Sequence, residues 1–448
     1  MSRASSGAAV VALLTLCSAA CSRAPDPQGG FRPGVLPATA ARERRPFDHI
    51  VVVIQENRSF DDFFATFPGA DGATWGRDHT GRRVRLRKSA LGFENLAHTH
   101  FSFKKEYDGG RMDGFDLITR VNARGERVPA GRYAYRYVDP AQIAPYWTMA
   151  RQYVLADHMF QTQSSGSFTA HQDLIAGGTR IAPGENVIDF PTHPPWGCDA
   201  PAGTVTSLIT SRGRYLRERG PFPCFDYPTL RDLLDAKGLS WKYFTPPLDR
   251  SGRNWDAFDA IRAVRYGSEW HDDVISPQTK FFRAIDAGNL PALSWVVPDA
   301  LDSDHPGEGR DTGPSWVANV VNAIGESPYW SSSAIVIVWD DWGGEFDHVA
   351  PPQIDAQGLG FRVPCLIVSP YARIGYVSHT QYEFGSLLRF IEDNWGLGRL
   401  GDSDARSKSI VEAFDFNQAP RAFVPIRSKY RRAYFERRAP SGLPVDTE

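Results

Sequence analysis

The chain has 448 residues, of which 42% are hydrophobic and 23% are charged, a composition typical of a globular protein with one large or two smaller domains. Its 50 lysines and arginines nearly balance its 52 aspartates and glutamates, for a formal net charge of -2 at pH 7. Nucleic acid is therefore not an expected partner, because proteins that bind it carry a basic surplus.

The first twenty residues are typical of an export signal. Arg3 precedes an apolar stretch from Ala8 to Leu16 that is too short to span a bilayer, and small residues follow before Cys21. Cys21 stands where a bacterial lipoprotein carries its lipidated cysteine, so a membrane-anchored lipoprotein and a periplasmic or secreted protein are the two expectations. Residues 21–45, rich in Pro, Gly, Ala and Arg, are predicted to form a flexible tether.

Strand-like and helix-like segments alternate over the rest of the chain. Strands are predicted at 49–54, 239–244, 292–297, 334–339 and 365–369, and helices at about 140–152, 229–237, 314–325 and 382–395. This alternation predicts an α/β fold with a mostly parallel central sheet and helices on both faces. No linker interrupts it, so we expect a single domain over 46–435 and a tail over 436–448.

Three cysteines follow the tether. Cys198 and Cys224 lie in a Pro- and Gly-rich region of a chain that is expected to be exported, and we predict that they form a disulfide. Cys365 lies in an apolar strand and is expected to be a buried thiol. The stretch 176–228 is predicted to be a long loop excursion over the active face.

Two of the predicted strands end in polar side chains. Asp340 and Asp341 follow strand 334–339 and precede paired glycines, while Glu56 and Asn57 follow strand 49–54. Ligands bind at the carboxyl ends of such strands, and adjacent carboxylates are costly unless a cation or a proton neutralises them. The pattern favours a divalent metal site over an exposed acidic turn; its oxygen ligands suit Mg, Ca or Mn, whereas zinc is expected to recruit imidazole as well.

A Ser- and Gly-rich turn at 163–172 leads into a predicted helix, a setting in which backbone N–H groups bind an anion. Ser167 is the candidate for a metal-activated nucleophile, and plain turn chemistry is the alternative. The turn is not the nucleophile elbow of an α/β-hydrolase, because the residues two before and two after Ser167 are not glycines. The alternative nucleophiles in this turn are Ser164, Ser165 and Thr169.

Three histidines lie in polar segments, namely His98, His305 and His348. An imidazole can stabilise a phosphoryl oxygen or protonate a leaving group, both of which phosphoester cleavage requires. The alternative for each is a hydrogen-bonded loop residue.

Four motifs in order carry a family resemblance: Glu56-Asn-Arg-Ser-Phe-Asp61, Gly110-Arg-Met-Asp-Gly-Phe115, Val297-Pro-Asp followed by Asp304-His-Pro, and Asp340-Asp-x-Gly-Gly-x-Phe-Asp-His348. Over roughly 46–435 the chain resembles the phosphoesterase family of non-specific phospholipases C and bacterial acid phosphatases. The resemblance implies an alkaline-phosphatase-like α/β fold and a catalytic domain.

The resemblance also implies roles for individual residues. One divalent ion, with Mg, Ca, Mn and Zn as the candidates, would be held by Glu56, Asn57, Ser167, Asp340 and Asp341. Ser167 would attack phosphorus and form a phosphoseryl intermediate. The phosphoryl oxygens would be bound, and the leaving group assisted, by His98, His305 and His348. Asp304 would orient its neighbour His305.

The chain departs from the family pattern at two places. It has Asp340-Asp341 where the family commonly has Asp-Glu, and Phe168-Thr-Ala-His171 where the family has Pro-Asn near the nucleophile. His171 is therefore an extra residue relative to the family pattern, and we expect it either to contact the substrate or to have a structural role.

The expected function is that of an exported phosphoric ester hydrolase, an acid phosphatase or a phospholipase C, acting on a phosphate ester or a phospholipid. A sulfatase is excluded because no Cys or Ser followed by x-Pro-x-Arg occurs within 160–180. The alternative is a surface lipoprotein that binds phosphorylated ligands with little turnover. Four aromatic residues are expected to form either a lipid-facing rim or core, namely Trp196, Phe222, Phe225 and Tyr227.

Overall fold

The computed structural model describes residues 47–122, 124–249, 254–307 and 311–442. The predicted export signal at 1–20, Cys21 and the tether over 21–45 lie outside these residues, as does the end of the predicted tail at 443–448. Within the described part of the chain, no helix combines the length and the apolar composition needed to cross a bilayer.

An eight-stranded sheet forms the centre of the molecule. Its strands, numbered in chain order, are β1 His49–Gln55, β2 Val154–Ala156, β3 Trp241–Phe244, β4 Val274–Ile275, β5 Leu293–Val296, β6 Ser333–Trp339, β7 Cys365–Val368 and β8 Tyr376–Ser378. They lie side by side in the order β4-β3-β5-β1-β6-β7-β2-β8. Only β7 runs antiparallel to its neighbours. The predicted mostly parallel sheet is confirmed, and all five predicted strands belong to it.

Twelve α-helices are found among the described residues, besides several short 3-10 helices: α1 Phe60–Phe64, α2 His100–Tyr107, α3 Ala144–Gln152, α4 Ser167–Ala176, α5 Leu230–Asp235, α6 Arg262–Arg265, α7 Glu269–Asp272, α8 Lys280–Asp286, α9 Gly313–Gly325, α10 Phe384–Trp395, α11 Ser403–Arg406 and α12 Arg432–Arg437. The four predicted helices correspond to α3, α5, α9 and α10. In α10 the prediction began too early, because Tyr382–Glu383 is a short strand that pairs with Met159–Phe160.

Helices cover both faces of the sheet. Trp295 in β5 and Trp339 in β6 lie on opposite faces, since Trp295 pairs with Val52 and Trp339 with Gln55, three residues apart in β1. The Trp295 indole donates to the carbonyl of Leu174 in α4 over 3.3 Å. The Trp339 ring packs edge-on against Tyr146 in α3. The predicted fold class is confirmed.

The stretch 176–228 is not a plain loop. It contains a four-stranded antiparallel sheet of Arg180–Ala182, Glu185–Ile188, Ser207–Thr210 and Tyr215–Leu216. The predicted disulfide joins Cys198 to Cys224, and Cys365 is a buried free thiol, as predicted. Trp196 and Phe225 are buried in a small apolar cluster with Phe168, so these two aromatics form core rather than a rim.

The remaining short strands form two-stranded pairs outside the main sheet. These pairs are Trp75–Arg77 with Arg83–Arg85, Arg87–Ser89 with Arg136–Val138, and Thr119–Val121 with Arg127–Pro129.

At the other end of the chain, the first part of the predicted tail packs onto the domain. Arg438 pairs with Asp302, and the Ser441 N–H donates to Asp299 over 2.7 Å.

Candidate active site

The site forms where β1 and β6 end side by side. Gln55 and Trp339 pair as the last residues of the two strands, so the chain delivers Glu56 and Asp340 to the same edge of the sheet. The Asn57 backbone N–H then donates to the Asp340 carboxylate over 2.9 Å. All three side chains are fully buried.

The paired glycines let two loops approach this edge closely. Asn57 has a left-handed backbone (φ 53°), a conformation that Asn tolerates better than most residues. A Cβ on Gly343 would lie 2.5 Å from the Asn57 carbonyl, and one on Gly344 would lie 2.6 Å from Cβ of Leu96. Only glycine fits at these two positions, where the loop after β6 meets the loops that carry Asn57 and His98.

Ser167 is the first residue of α4, and its hydroxyl reaches the polar edge. Ser167 Oγ donates to Asp341 Oδ2 over 2.9 Å. The hydroxyls of the alternative nucleophiles bind elsewhere: Ser164 donates to the Gln357 carbonyl, Ser165 accepts from the Asp189 N–H, and Thr169 donates to the Gly166 carbonyl. Ser167 is thus the hydroxyl of this turn that contacts the carboxylates following β6.

Two histidines converge on the Asn57 amide. Nε2 of His98 and Nε2 of His305 lie 3.0 and 3.1 Å from its nitrogen. Each Nδ1 lies 2.7 Å from a backbone carbonyl, that of Leu96 or Pro306, and therefore carries a proton. In a neutral imidazole with its proton on Nδ1 the Nε2 atom is an acceptor, and in that state the amide NH₂ can donate to both rings.

The Asn57 amide has a second satisfied orientation. With oxygen and nitrogen exchanged, the NH₂ donates to Glu56 and Asp340 over 3.1 Å each, and the oxygen faces the two imidazoles. That orientation matches charged imidazoles and a site without a cation, because the NH₂ then lies between two carboxylates. A cation among the carboxylates favours the first orientation, which turns the amide oxygen toward Ser167, 3.3 Å away.

His171 is the one imidazole in the carboxylate group. Its Nε2 lies 2.8 Å from Glu56 Oε1 and 3.8 Å from Asp340 Oδ2. Burial lowers the pKa of His171, although Asp340 and Asp341 act to raise it, and the neutral imidazole that burial favours is the form that binds a metal.

These residues fit a divalent metal ion. Asp340 Oδ2 is buried and accepts no hydrogen bond, and among the described residues no lysine or arginine pairs with Asp340 or Asp341. Burial and the charges of Asp341 and Glu56 raise the pKa of Asp340 well above its usual value. Glu56, His171 and Asp340 offer ligand atoms that lie close enough to share one ion. The donors available are carboxylate, amide, hydroxyl and imidazole, so the set is not limited to hard oxygen ligands.

A model of the phosphoesterase family matches residues 47–398 of this chain. The chain belongs to the phosphoesterase family. The resemblance carried by the four motifs is confirmed, and so is the enzyme class expected from it, the hydrolysis of phosphoric ester bonds.

Curated relatives with similar sequences are phospholipases C. The chain is 26% identical to the non-hemolytic phospholipase C of Pseudomonas aeruginosa, over 85% of this chain and 59% of that protein. It is 24% identical to phospholipase C A of Mycobacterium tuberculosis, over 84% and 79% of the two proteins. It is 21% identical to non-specific phospholipase C3 of Arabidopsis thaliana, over 85% and 76%. The chain thus spans less than two thirds of the Pseudomonas relative.

Solved structures of similar architecture include a protein in the alkaline phosphatase superfamily from Vibrio parahaemolyticus. It matches with a TM-score of 0.36 and 10% sequence identity, over 80% of this chain and 70% of that chain.

His348 lies in a second polar cluster and not among the contacts of Ser167 or Asn57. Its Nδ1 bonds to Asp61 over 2.7 Å and its Nε2 to Asp71 over 3.2 Å. Asp347 completes this cluster through Arg362, which donates to both of its carboxylate oxygens over 2.9 and 3.0 Å. The sequence grouped His348 with His98 and His305, and the structure separates them.

The Asp304 side chain does not bond to the ring of its neighbour His305. Its carboxylate accepts from the Tyr146 hydroxyl over 2.5 Å, and its backbone carbonyl accepts from the buried Arg58. Asp304 also has a left-handed backbone (φ 69°). The residue therefore shapes the turn that presents His305 rather than aligning the imidazole through its carboxylate.

A groove of about 860 Å³ begins beside the site. Phe190 lines it and also packs edge-on against the His98 ring, with centroids 5.9 Å apart. A Cβ on Gly166, next to Ser167, would lie 2.2 Å from the Phe190 ring. The groove continues past Phe101, which is 66% exposed, and Tyr215. Phe190 is thus the side chain that stands between the buried Ser167 and this surface groove.

The sequence analysis missed His171 as a member of the carboxylate group. The signal was available, because residues four apart lie on the same face of a helix and His171 follows Ser167 by four residues. Arg362 and Phe190 carried no comparable signal, since each reaches its cluster from a distant segment of the chain.

Proposed function

We propose that this protein is an exported, metal-assisted phosphoric ester hydrolase that acts through a covalent phosphoseryl intermediate. The observation that carries the proposal is the hydrogen bond from Ser167 Oγ to Asp341, beside a buried carboxylate that accepts no hydrogen bond. Family membership supports the reaction class.

The Ser167 hydroxyl supplies the nucleophile. Its proton passes to Asp341 as the bond from Oγ to phosphorus forms and the bond from phosphorus to the leaving oxygen breaks. Water then attacks phosphorus and gives one proton to His98 or His305. The bond from phosphorus to Oγ breaks, phosphate or the phosphorylated head group leaves, and Oγ regains its proton from Asp341. Because Ser167 opens α4, the N–H groups of the first helical turn and the positive end of the helix dipole favour an anion there.

The imidazoles of His98 and His305 serve the departing group. In the reactive state one of them carries a proton on Nε2 and passes it to the leaving oxygen, while the Leu96 and Pro306 carbonyls hold each ring in place. A divalent ion held by Glu56, Asn57, Asp340 and Asp341, with His171 as an added ligand, would act as a Lewis acid toward the phosphoryl oxygens and lower the pKa of the serine hydroxyl. The imidazole admits zinc beside Mg, Ca and Mn.

For the substrate we propose the phosphodiester of a phospholipid. The relatives named above are phospholipases C. The groove beside His98 offers the apolar surface of Phe101, Phe190 and Tyr215 to the leaving alcohol, and a diacylglycerol presents such an apolar body. A phosphomonoester is the second candidate, since the same centre would accept it without using the groove.

For the location we propose export, with Cys21 as a lipid anchor. Fractionation of cells that express the wild type or Cys21→Ala tests this, because loss of the anchor should move the protein from the membrane to the soluble exported fraction. Retention of both proteins inside the cell would contradict the proposal.

Turnover by the purified protein tests the proposed chemistry. The substrates are an aromatic phosphomonoester and phosphatidylcholine in micelles, each measured with added divalent metal and with chelator. We expect diacylglycerol from the lipid, loss of turnover on chelation, and no turnover by Ser167→Ala. Ser165→Ala is the matched control and should stay active.

Each other outcome has a definite meaning. Phosphate release from the monoester alone would mark a phosphatase. Activity in Ser167→Ala would overturn the nucleophile. No turnover of either substrate, together with binding of phosphorylated ligands, would favour the alternative of a surface lipoprotein that binds such ligands.

A further inference from the structure

A basic groove on the surface lies outside the catalytic centre. It encloses about 430 Å³ and is lined by Arg83, Arg85, Arg87, Lys88 and Arg132, with Tyr137. The chain as a whole has a net charge of -2, so this concentration of cations is a local feature and not a consequence of composition.

The local strand geometry places these cations on one face. Arg83, Arg85 and Arg87 are exposed, whereas Val84 and Leu86 between them are buried. Because successive side chains of an extended chain point to opposite sides, the three guanidinium groups face solvent together.

Most of this charge has no ion-pair partner among the described residues. Lys88 pairs with Asp139 at 3.0 Å, but no carboxylate in the described part of the chain forms an ion pair with Arg83, Arg85, Arg87 or Arg132. Like charges held side by side repel one another, and an external anion relieves that repulsion.

An exposed aromatic side chain accompanies the arginines. Trp75 is 41% exposed and pairs with Arg85 across the hairpin, while the Arg83 guanidinium lies 4.1 Å from its ring centroid. Tryptophan with cationic side chains is typical of surfaces that sit at the head-group level of a membrane.

The segment that carries Arg83, Arg85 and Arg87 is packed directly onto the catalytic motif. Val84 and Leu86 belong to the same apolar cluster as Trp342 and Phe346, which flank the paired glycines after Asp341. The Trp342 ring centroid lies 6.2 Å from that of His98. A surface bound to the arginines is therefore held at a fixed distance from the catalytic centre.

We propose that this groove docks the protein onto an anionic phospholipid surface. The partner is the lipid head-group layer, recognised through phosphates by the arginines and through the interface by Trp75. This inference does not depend on the proposed reaction, because it concerns binding to a membrane and not turnover.

Vesicle co-sedimentation tests the docking surface. The wild type is compared with the triple variant Arg85→Glu, Arg87→Glu, Arg132→Glu on vesicles of phosphatidylcholine alone and of phosphatidylcholine with phosphatidylglycerol. We expect the wild type to bind the anionic vesicles more tightly than the neutral ones, and more weakly as salt rises. The triple variant should partition on the order of 100-fold less, since each basic side chain near such a surface contributes roughly fivefold.

A matched control separates position from total charge. Arg212, Arg214 and Arg219 are exposed arginines on another hairpin, and their change to Glu alters the net charge by the same amount. The control should bind like the wild type, and hydrolysis of the aromatic phosphomonoester by both variants should match the wild type. If the triple variant does not fold, Arg87→Gln and Arg132→Gln are used, with a loss of roughly fivefold each.

Three results would overturn the docking surface. These are wild-type binding to neutral vesicles at the same level, equal loss of binding in the control, or preference for duplex DNA over anionic vesicles. An inactive protein that still binds anionic vesicles through these arginines would overturn the proposed function and leave the docking surface standing.

Discussion

Two neighbouring acidic clusters arise from the same two sequence motifs, and they differ in how their charge is balanced. In the first, Asp340 and Asp341 are buried with no described lysine or arginine as an ion-pair partner. In the second, Arg362 clamps Asp347 with two hydrogen bonds and also lies 3.5 Å from Asp61. The second cluster is neutralised by the protein itself, while the first has no such charge among the described residues and could hold a metal ion.

Asp340→Asn should have the largest effect on function. Loss of this ligand should remove the metal and lower turnover on the order of 1000-fold, because Lewis-acid stabilisation is worth several kcal/mol. Metal analysis of the purified protein measures the loss of the ion, and an activity assay measures the loss of turnover. In chelator the variant should unfold at higher denaturant than the wild type, since it removes an uncompensated buried charge. A full metal content would contradict the ligand assignment.

Arg362→Gln should instead lower the stability of the fold and leave the metal content intact. It leaves Asp347 buried without its cation, which costs about 3–5 kcal/mol of unfolding free energy, while the metal content of the folded protein is unchanged. Urea unfolding measures the loss of unfolding free energy, and metal analysis measures the metal content. Arg432→Gln, which breaks an exposed pair with Asp286, is the control and should change stability by about 1 kcal/mol or less. Equal effects of the two variants would show that Arg362 is not the neutralising charge.

His348→Gln should have the smallest effect and one that depends on pH. Burial lowers the pKa of His348, but its hydrogen bond to Asp61 and the charges of Asp61 and Asp347 raise it further, to about 9 from a usual 6.5. The protonated imidazole therefore stabilises the fold fully below about pH 6.5, and this contribution disappears as pH rises through about 9.

The unfolding free energy of the wild type should exceed that of His348→Gln by up to about 3 kcal/mol at low pH, and the two values should converge above pH 9. Urea unfolding of both proteins across this range provides the measurement. A difference that does not change with pH would mean that the imidazole is neutral throughout.

Much of the fold was predictable because its signals are local. The apolar runs that became β1, β5 and β6 mark buried strands, and Thr229 with Asp232 forms the capping box that begins α5. The short strands β2, β4 and β8 were not predicted. Two or three residues carry too little periodicity, and pairing with longer strands defines them.

The sequence by itself determined the ligand types and the strand ends that deliver them, because a buried run followed by carboxylates needs only the order of residues. Only the tertiary structure decided which acids are neutralised by charges of the protein itself. Arg362 reaches Asp347 through the fold, His171 joins Glu56 from another element, and His98 meets His305 across Asn57. The meeting of His98 and His305 at Asn57 depends on close approaches allowed by Gly343 and Gly344, whose positive φ values become fixed only in the folded chain.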